Sequence, residues 1–480
     1  MEAILSDRLY LHGIPTETIT GLNEHLRITN PKWQDVKRFS RTGGRYTSVS
    51  QFIYAGEVLG DHDIALPRSV ILPAELLPSK LLELDIKDKR NKSPITFPPL
   101  RVTLNSMQKA VAVKFKQIIA EDIPPAFLLK AGTSFGKTIC MLNLARIAKQ
   151  KTLVLTHRQL IFDTWVADID KAFAGATTAG IVRQSKIRIG EHYTVAMLQT
   201  LDRWDKDDLA ALFAEFGTVI LDEAHICPMP FIEGVVSRCP ALYRIGGTAT
   251  ISRKGGRDKM LYWVFGKPFF STTDTSTVKG NQLSISEARI VVTKFEYEPA
   301  EDDVFDIHEL DHKIIRDVAR NKLIVENVLK DVDAGHSVLV TTFRKKHCLF
   351  LVRRLKKLGY NPVLLMGDRT QGRAQFDKEV EDIKSGKRRL VVATEQLIRE
   401  GTNIPPLDRL HVAMSISDRK NAVQLFGRIC RASPETGKTD AKVTIYFDVR
   451  TVSLRRRVTH NMIPVLRGLG VPNVQNMFIA

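Results

Sequence analysis

The 480-residue chain holds 44% hydrophobic and 26% charged residues, which fits a folded globular protein and excludes a disordered or low-complexity one. It is too long for one core and points to two to four domains. No apolar run approaches the roughly 18 residues of a membrane span, and the five scattered cysteines form no Cys-x-x-Cys pair, so neither structural zinc nor a disulfide framework is expected. The formal net charge of +18 favours a polyanionic partner, with an acidic protein partner or a generally basic proteome as the plainer readings. Met1 to Leu11 lacks a basic flank followed by a long apolar stretch, so a cytoplasmic protein with reduced thiols is expected.

Residues 1–97 carry short alternating segments such as Ser48–Tyr54 and turn signals such as Thr42-Gly43-Gly44, which predict a small mixed or β-rich accessory domain. Within it Trp33, Lys37, Arg38, Phe39, Arg41, Arg45 and Tyr46 interleave basic and aromatic side chains. That surface suits phosphate and base contact, or equally a hairpin with buried rings and solvated charges. A polar stretch, Asp85 to Ser93, leads to Thr96-Phe97-Pro98-Pro99 and reads as a linker.

Over 98–280 short apolar strands alternate with helical patterns. Strands are predicted at Ala126–Lys130, Thr152–Thr156, Tyr193–Met197, Thr218–Asp222 and Tyr243–Gly246, with a helix at Lys137–Lys149. A Ser/Thr/Gly/Asn-rich stretch at 272–284 separates this lobe from a second, 281–450. There strands are predicted at Arg289–Phe295, Ser337–Thr341, Pro362–Met366, Leu390–Thr394, Arg409–Met414 and Lys442–Asp448, with helices at Asp311–Val332 and Lys346–Leu358. The fold class is therefore α/β, two tandem parallel-sheet lobes, plus the N-terminal domain and a short, acid-free helical tail, 451–480, carrying Arg455-Arg456-Arg457.

Two segments carry chemistry on their own. Ala131-Gly132-Thr133-Ser134-Phe135-Gly136-Lys137-Thr138 lies between a strand and a helix, where backbone N–H groups and the helix N-terminus cradle phosphate. Gly136 permits close approach, Lys137 reaches the β- and γ-phosphates, and Thr138 offers a hydroxyl to Mg²⁺. The apolar strand Val219-Ile220-Leu221 ends in Asp222-Glu223-Ala224-His225. In isolation that end could be a solvated acidic turn. Beside a phosphate loop, Asp222 suits the metal and Glu223 the water-activating base.

From the Asp-Glu-Ala-His quartet onward the chain resembles the DEAH-type helicases of superfamily 2, over about residues 100–450 and with motifs in that family's order. The loop resembles AxTGxGKT, with Ser134 where Gly is usual. The resemblance implies two RecA-like lobes and further roles. Leu104-Asn105-Ser106-Met107-Gln108 resembles the adenine-reading segment, which puts Gln108 on the base, although Asn105 stands where Arg is common. Thr156-His157-Arg158 and Leu198-Gln199-Thr200 resemble strand-contact motifs, which implies nucleic-acid contacts by Arg158, Gln199 and Thr200. Gly246-Gly247-Thr248-Ala249-Thr250 resembles the coupling motif, with Thr248 and Thr250 bonding His225.

In the second lobe Thr342-Phe343-Arg344 resembles motif IV, which implies a strand contact by Arg344. Val391 to Thr394 followed by Glu400-Gly401-Thr402-Asn403-Ile404-Pro405 resembles motif V, implying that Gly401 and Asn403 meet nucleotide and Thr394 nucleic acid. Gln424-Leu425-Phe426-Gly427-Arg428-Ile429-Cys430-Arg431 resembles motif VI. On a helix Gln424, Arg428 and Arg431 share one face, which suits arginine fingers; alone, the segment would be a solvated basic face. Ile64-Ala65-Leu66-Pro67-Arg68 resembles a short segment preceding the motor in phage UvsW-like and XPB-like helicases.

The resulting expectation is a monomeric ATP- and Mg²⁺-dependent DNA helicase acting on branched intermediates of recombination, repair or replication, located in the host cytoplasm if of phage origin. The alternatives are a duplex translocase, an RNA helicase, a nucleic-acid-binding protein with a degenerate ATP site, or a simple P-loop kinase. The second lobe and its arginines have no place in the last.

Overall fold

The computed structural model describes the chain apart from residues 31–32, 34–49, 71–84, 121–125, 133–134, 228, 250–257, 272–284, 299–306, 367–371, 400–403, 405, 431–437 and 472–480. It divides into two compact units, 1–273 and 274–480. Most of the N-terminal basic–aromatic segment, from Lys37 to Tyr46, lies outside the described residues.

The first unit begins with a five-stranded sheet in the order Glu57–Gly60, Asp63–Leu66, Leu9–His12, Glu2–Leu5, Ile86–Asp88, antiparallel except for its last pair. Helix Thr16–His25 closes a small core of Leu11, Ile14, Leu22, Ile64 and Leu66. The stretch expected as a linker is an ordered tie. Ile86–Asp88 joins the N-terminal sheet, while Asn91 and Pro94 form bridges to Ala241 and Gln150 of the following lobe.

That lobe is built on an eight-stranded sheet. Its order is Lys186–Arg188, Gly180–Arg183, Tyr193–Met197, Thr152–Thr156, Thr218–Leu221, Tyr243–Thr248, Ala126–Lys130, Pro268–Ser271, parallel except for the first strand. The central strands Thr152–Thr156 and Thr218–Leu221 are buried along their whole length because helices cover both faces. Two guanidinium groups fasten the N-terminal sheet to this lobe. Arg68 donates to the carbonyls of Ala241 and Leu242, both at 2.5 Å. Arg244, on the strand Tyr243–Thr248, donates to Asp7 O at 2.6 Å, Ser237 O at 2.9 Å and Cys239 O at 2.8 Å. Burial lowers the Arg244 pKa to about 10.

The second unit holds a six-stranded, wholly parallel sheet in the order Ile285–Val292, Ala441–Phe447, Arg409–Val412, Val338–Thr342, Leu390–Thr394, Val363–Leu365. Its first strand begins and ends earlier than expected, and just beyond it the Thr293 hydroxyl donates to Asp448 Oδ1 at 2.6 Å. The single helix expected over Asp311–Val332 is two, Ile307–Arg316 and Val318–Asp333. Asp317 caps the second by accepting from the Arg320 N–H at 2.6 Å. The Arg320 side chain is fully buried against Asp448, Nε to Oδ1 at 2.7 Å. The basic tail docks into this core through Val458, Met462, Val465 and Leu466, leaving Arg455 and Arg456 exposed.

Candidate active site

The carboxyl ends of three neighbouring strands of the first lobe, Ala126–Lys130, Tyr243–Thr248 and Thr218–Leu221, carry the phosphate loop, the coupling segment and the acid pair. Carboxyl ends of parallel strands are where open α/β sheets bind ligands. The loop is tied to the middle strand by Ala131 N–H donating to Thr248 O at 2.9 Å. Gly136 has φ +76°, a left-handed conformation open to glycine, and leads directly into helix Lys137–Ala148.

Lys137 Nζ, almost buried, lies 3.3 Å from Glu223 Oε1. Glu223 itself has φ +49°, a strained value for a residue with a side chain. This twist lets its N–H donate to Asp222 Oδ1 at 2.8 Å, while the Ala224 N–H reaches Gly247 O at 2.9 Å. Glu223 Oε2 is 3.3 Å from His225 Nδ1. The other Asp222 oxygen accepts from Trp165 Nε1 at 3.0 Å. Burial, and then the Glu223 carboxylate, push the Asp222 pKa up to about 6 against the pull of Lys137 and these two donors.

Gly246 and Gly247 make room for this assembly. A Cβ on Gly246 would lie 2.9 Å from the Phe265 ring. One on Gly247 would lie 2.7 Å from Met141 of the loop helix and 3.2 Å from Asp222 Oδ1. Each Asp222 oxygen takes one hydrogen bond and keeps a further lone pair. Asp222 and the part-buried Thr138 thus offer oxygen ligands of the kind a hard dication such as Mg²⁺ takes. Among the described residues no group of three or more His, Cys, Asp or Glu side chains gathers as a metal site.

Gln108 is 7% exposed and faces the loop. Its Nε2 donates to Phe135 O at 2.9 Å and its Oε1 accepts from the Asn105 N–H at 3.0 Å. Asn105 Oδ1 in turn accepts from the Gln108 N–H, which makes a reciprocal capping box at the start of helix Ser106–Ala120. The spacing Asn-x-x-Gln carries that signal in the sequence. Trp165 gives no such signal, since its spacing in helix Gln159–Phe173 is that of any core aromatic.

The other residues divide as follows. Arg158 precedes helix Gln159–Phe173 at the end of strand Thr152–Thr156. Gln199 Nε2 donates to His157 O at 2.6 Å, and the Thr200 hydroxyl accepts from the Gln184 N–H at 2.9 Å. These three loops thus form one row along the sheet edge. In the second unit Arg344 pairs with Asp311, Nε to Oδ2 at 2.8 Å, and Thr394 is 8% exposed at the end of its strand. Gln424 and Arg428 lie half-buried on one face of helix Arg419–Ile429, which Asp418 caps. Thr133, Ser134, Thr250, Gly401, Asn403 and Arg431 lie outside the described residues.

Two family models match the chain: "Type III restriction enzyme, res subunit" over residues 101–253 and "Helicase conserved C-terminal domain" over 319–433. "Probable helicase D10" of Escherichia phage T5 is 26% identical over 360 residues, 74% of each chain. "Transcript termination protein A18" of Yaba monkey tumor virus is 21% identical over 377 residues, again 74% of each. Among solved structures, S. cerevisiae Dbp5 bound to RNA and ADP BeF3 superposes with a TM-score of 0.51 at 12% identity, covering 76% of this chain and 93% of that one, a likeness of fold. No helix among the described residues is long and apolar enough to cross a membrane. The two family segments together take in more than half of the sequence and fall one within each parallel-sheet lobe, so the chain belongs to helicase superfamily 2, whose members hydrolyse ATP in nucleic-acid-dependent work.

Proposed function

We propose that the protein is an ATP-dependent DNA helicase that translocates on and remodels branched DNA such as forks, D-loops or four-way junctions. The observation that carries the ATPase part of this reading is the Lys137–Glu223–Asp222 cluster, drawn together at the tips of neighbouring strands. The phosphate loop and Lys137 bind the β- and γ-phosphates. An incoming phosphate competes with Glu223 for Lys137, and the released carboxylate takes the proton of the attacking water. Asp222 and Thr138 would hold Mg²⁺, which neutralises charge developing on the phosphates. Arg428 and Arg431 of the second lobe are assigned as the arginine fingers for the γ-phosphate, with Gln424 of the same motif beside them. Gly401 and Asn403 contact nucleotide, and Gln108 the adenine. Thr248 and Thr250 couple to His225.

Support for a nucleic-acid partner comes from the charge of +18 and from the phage relative named a helicase, while the choice of DNA rests on the resemblance of the motifs. Arg158, Gln199, Thr200, Arg344 and Thr394 are assigned to the strand, bonding the backbone without reading bases. The relative named a transcript termination protein supports a second reading, action on RNA or on transcribing complexes. Phosphate release measured with single-stranded, duplex, forked and four-way DNA, and with RNA, separates them. Strongest stimulation by forked or four-way DNA is expected, and stimulation by RNA alone favours the second reading. Lys137→Ala is expected to abolish turnover on every substrate. Turnover near the wild-type rate would remove the cluster from its role.

A further inference from the structure

We propose that Trp165 is a positioning residue for Asp222: its indole N–H holds the carboxylate in the one orientation that presents an oxygen to a divalent cation at the phosphate loop. Asp222 sits at a strand tip, where its side chain could turn about two bonds. Both oxygens are instead held from different directions, Oδ1 by the Glu223 N–H at 2.8 Å and Oδ2 by Trp165 Nε1 at 3.0 Å. The Glu223 donor sits on a left-handed backbone, with φ +49°, in the residue next to Asp222 itself. The Trp165 donor is rigid. The ring is fully buried among Cys140, Met141, Phe162 and Ile169, and an indole N–H can only donate.

Trp165 comes from the helix that follows strand Thr152–Thr156, which pairs with the Asp222 strand on the side away from the phosphate loop. The bond therefore holds Asp222 from a second element of the lobe, and each Asp222 oxygen keeps a lone pair for a cation. A core tryptophan needs only some acceptor for its N–H. Here the acceptor is the carboxylate proposed above to hold Mg²⁺. Donors that orient a metal-binding group govern metal affinity far more than they govern the rest of the ligand.

This inference rests on the ATP-site reading above, and the experiment separates the two. Binding of N-methylanthraniloyl-ADP to the full chain is measured in EDTA and across a Mg²⁺ titration. For Trp165→Phe, metal-free affinity should stay close to wild type while the Mg²⁺ midpoint rises about tenfold. In an Asp222→Ala background the same substitution should add no further shift. An unchanged midpoint, or a full additive shift in that background, overturns the proposal. Wild-type protein that binds the nucleotide without any Mg²⁺ enhancement would instead sink the metal role of Asp222. The indole ¹⁵N–¹H signal of Trp165 in wild-type protein gives a readout that needs no substitution. It should move when Mg²⁺ is added to the nucleotide complex, while that of Trp204, which packs against the lobe's other core cluster, stays still; a stationary Trp165 signal also overturns the proposal.

Discussion

Gly136→Ala tests how the phosphate loop is held open. The residue has φ +76°, where an L side chain costs about 1–2 kcal/mol. The new Cβ would also fall 2.6 Å from Gln108 Nε2. Gln108 can swing aside, because the clash is with the far end of its side chain. Doing so breaks its 2.9 Å bond to Phe135 O, a further loss of about 1 kcal/mol. Together these penalise the binding-competent loop by about 2–3 kcal/mol, so nucleotide affinity should fall about 30- to 140-fold. The assay is competition by tripolyphosphate against a fluorescent nucleotide, so that contacts to the base do not enter. Adding Gln108→Ala should cost little more, since the same bond is already broken. A Gly136→Ala affinity within about threefold of wild type, less than the backbone term alone predicts, would falsify this account of the loop.

Three other outcomes are expected. Arg428→Ala should slow phosphate release about a thousandfold while leaving nucleic-acid affinity near wild type; a parallel loss of both places Arg428 on the strand instead. Burial, with Arg320 nearby, depresses the His347 pKa from 6.5 to about 3. The folded protein therefore keeps this ring neutral where the unfolded chain would protonate it. The resulting stability is fully present above pH 6.5 and erodes as pH falls toward 3, by about 2 kcal/mol at pH ~5. Urea melts at pH ~7 and ~5 should show His347→Gln losing less stability between the two than wild type, and equal losses would contradict the assignment. Arg244→Ala strips a donor from three carbonyls and should destabilise the first unit by about 3 kcal/mol or more, with protease cutting near residues 89–97 before elsewhere. An unaltered melt and digest would show that the N-terminal sheet is held by other contacts.

The strands bearing the ATP-site motifs were legible because buried parallel strands are continuous apolar runs, and Ala126–Lys130 and Thr152–Thr156 match their expected bounds. The hairpin Gly180–Arg183 with Lys186–Arg188 was missed because its edge strand is short, exposed and charged, as edge strands are. The helix break at Asp317 rests on one side-chain cap inside an otherwise unbroken helical pattern. Long-range partners left no mark in the chain. Arg344 meets Asp311, and Trp165 meets Asp222 across 57 positions. Gln108 was legible as a site residue, yet the direction of its amide depends on where Phe135 O lies.

Strand Tyr243–Thr248 has both of its ends loaded. Near its start Arg244 grasps the backbone of Asp7 in the N-terminal sheet, and at its finish Thr248 O secures Ala131 beside the phosphate loop. The N-terminal sheet and the candidate ATP site thus share one strand, which is paired with a neighbour on each side. A load hung on that sheet is therefore expected to change nucleotide affinity, a shift that the tripolyphosphate competition would read.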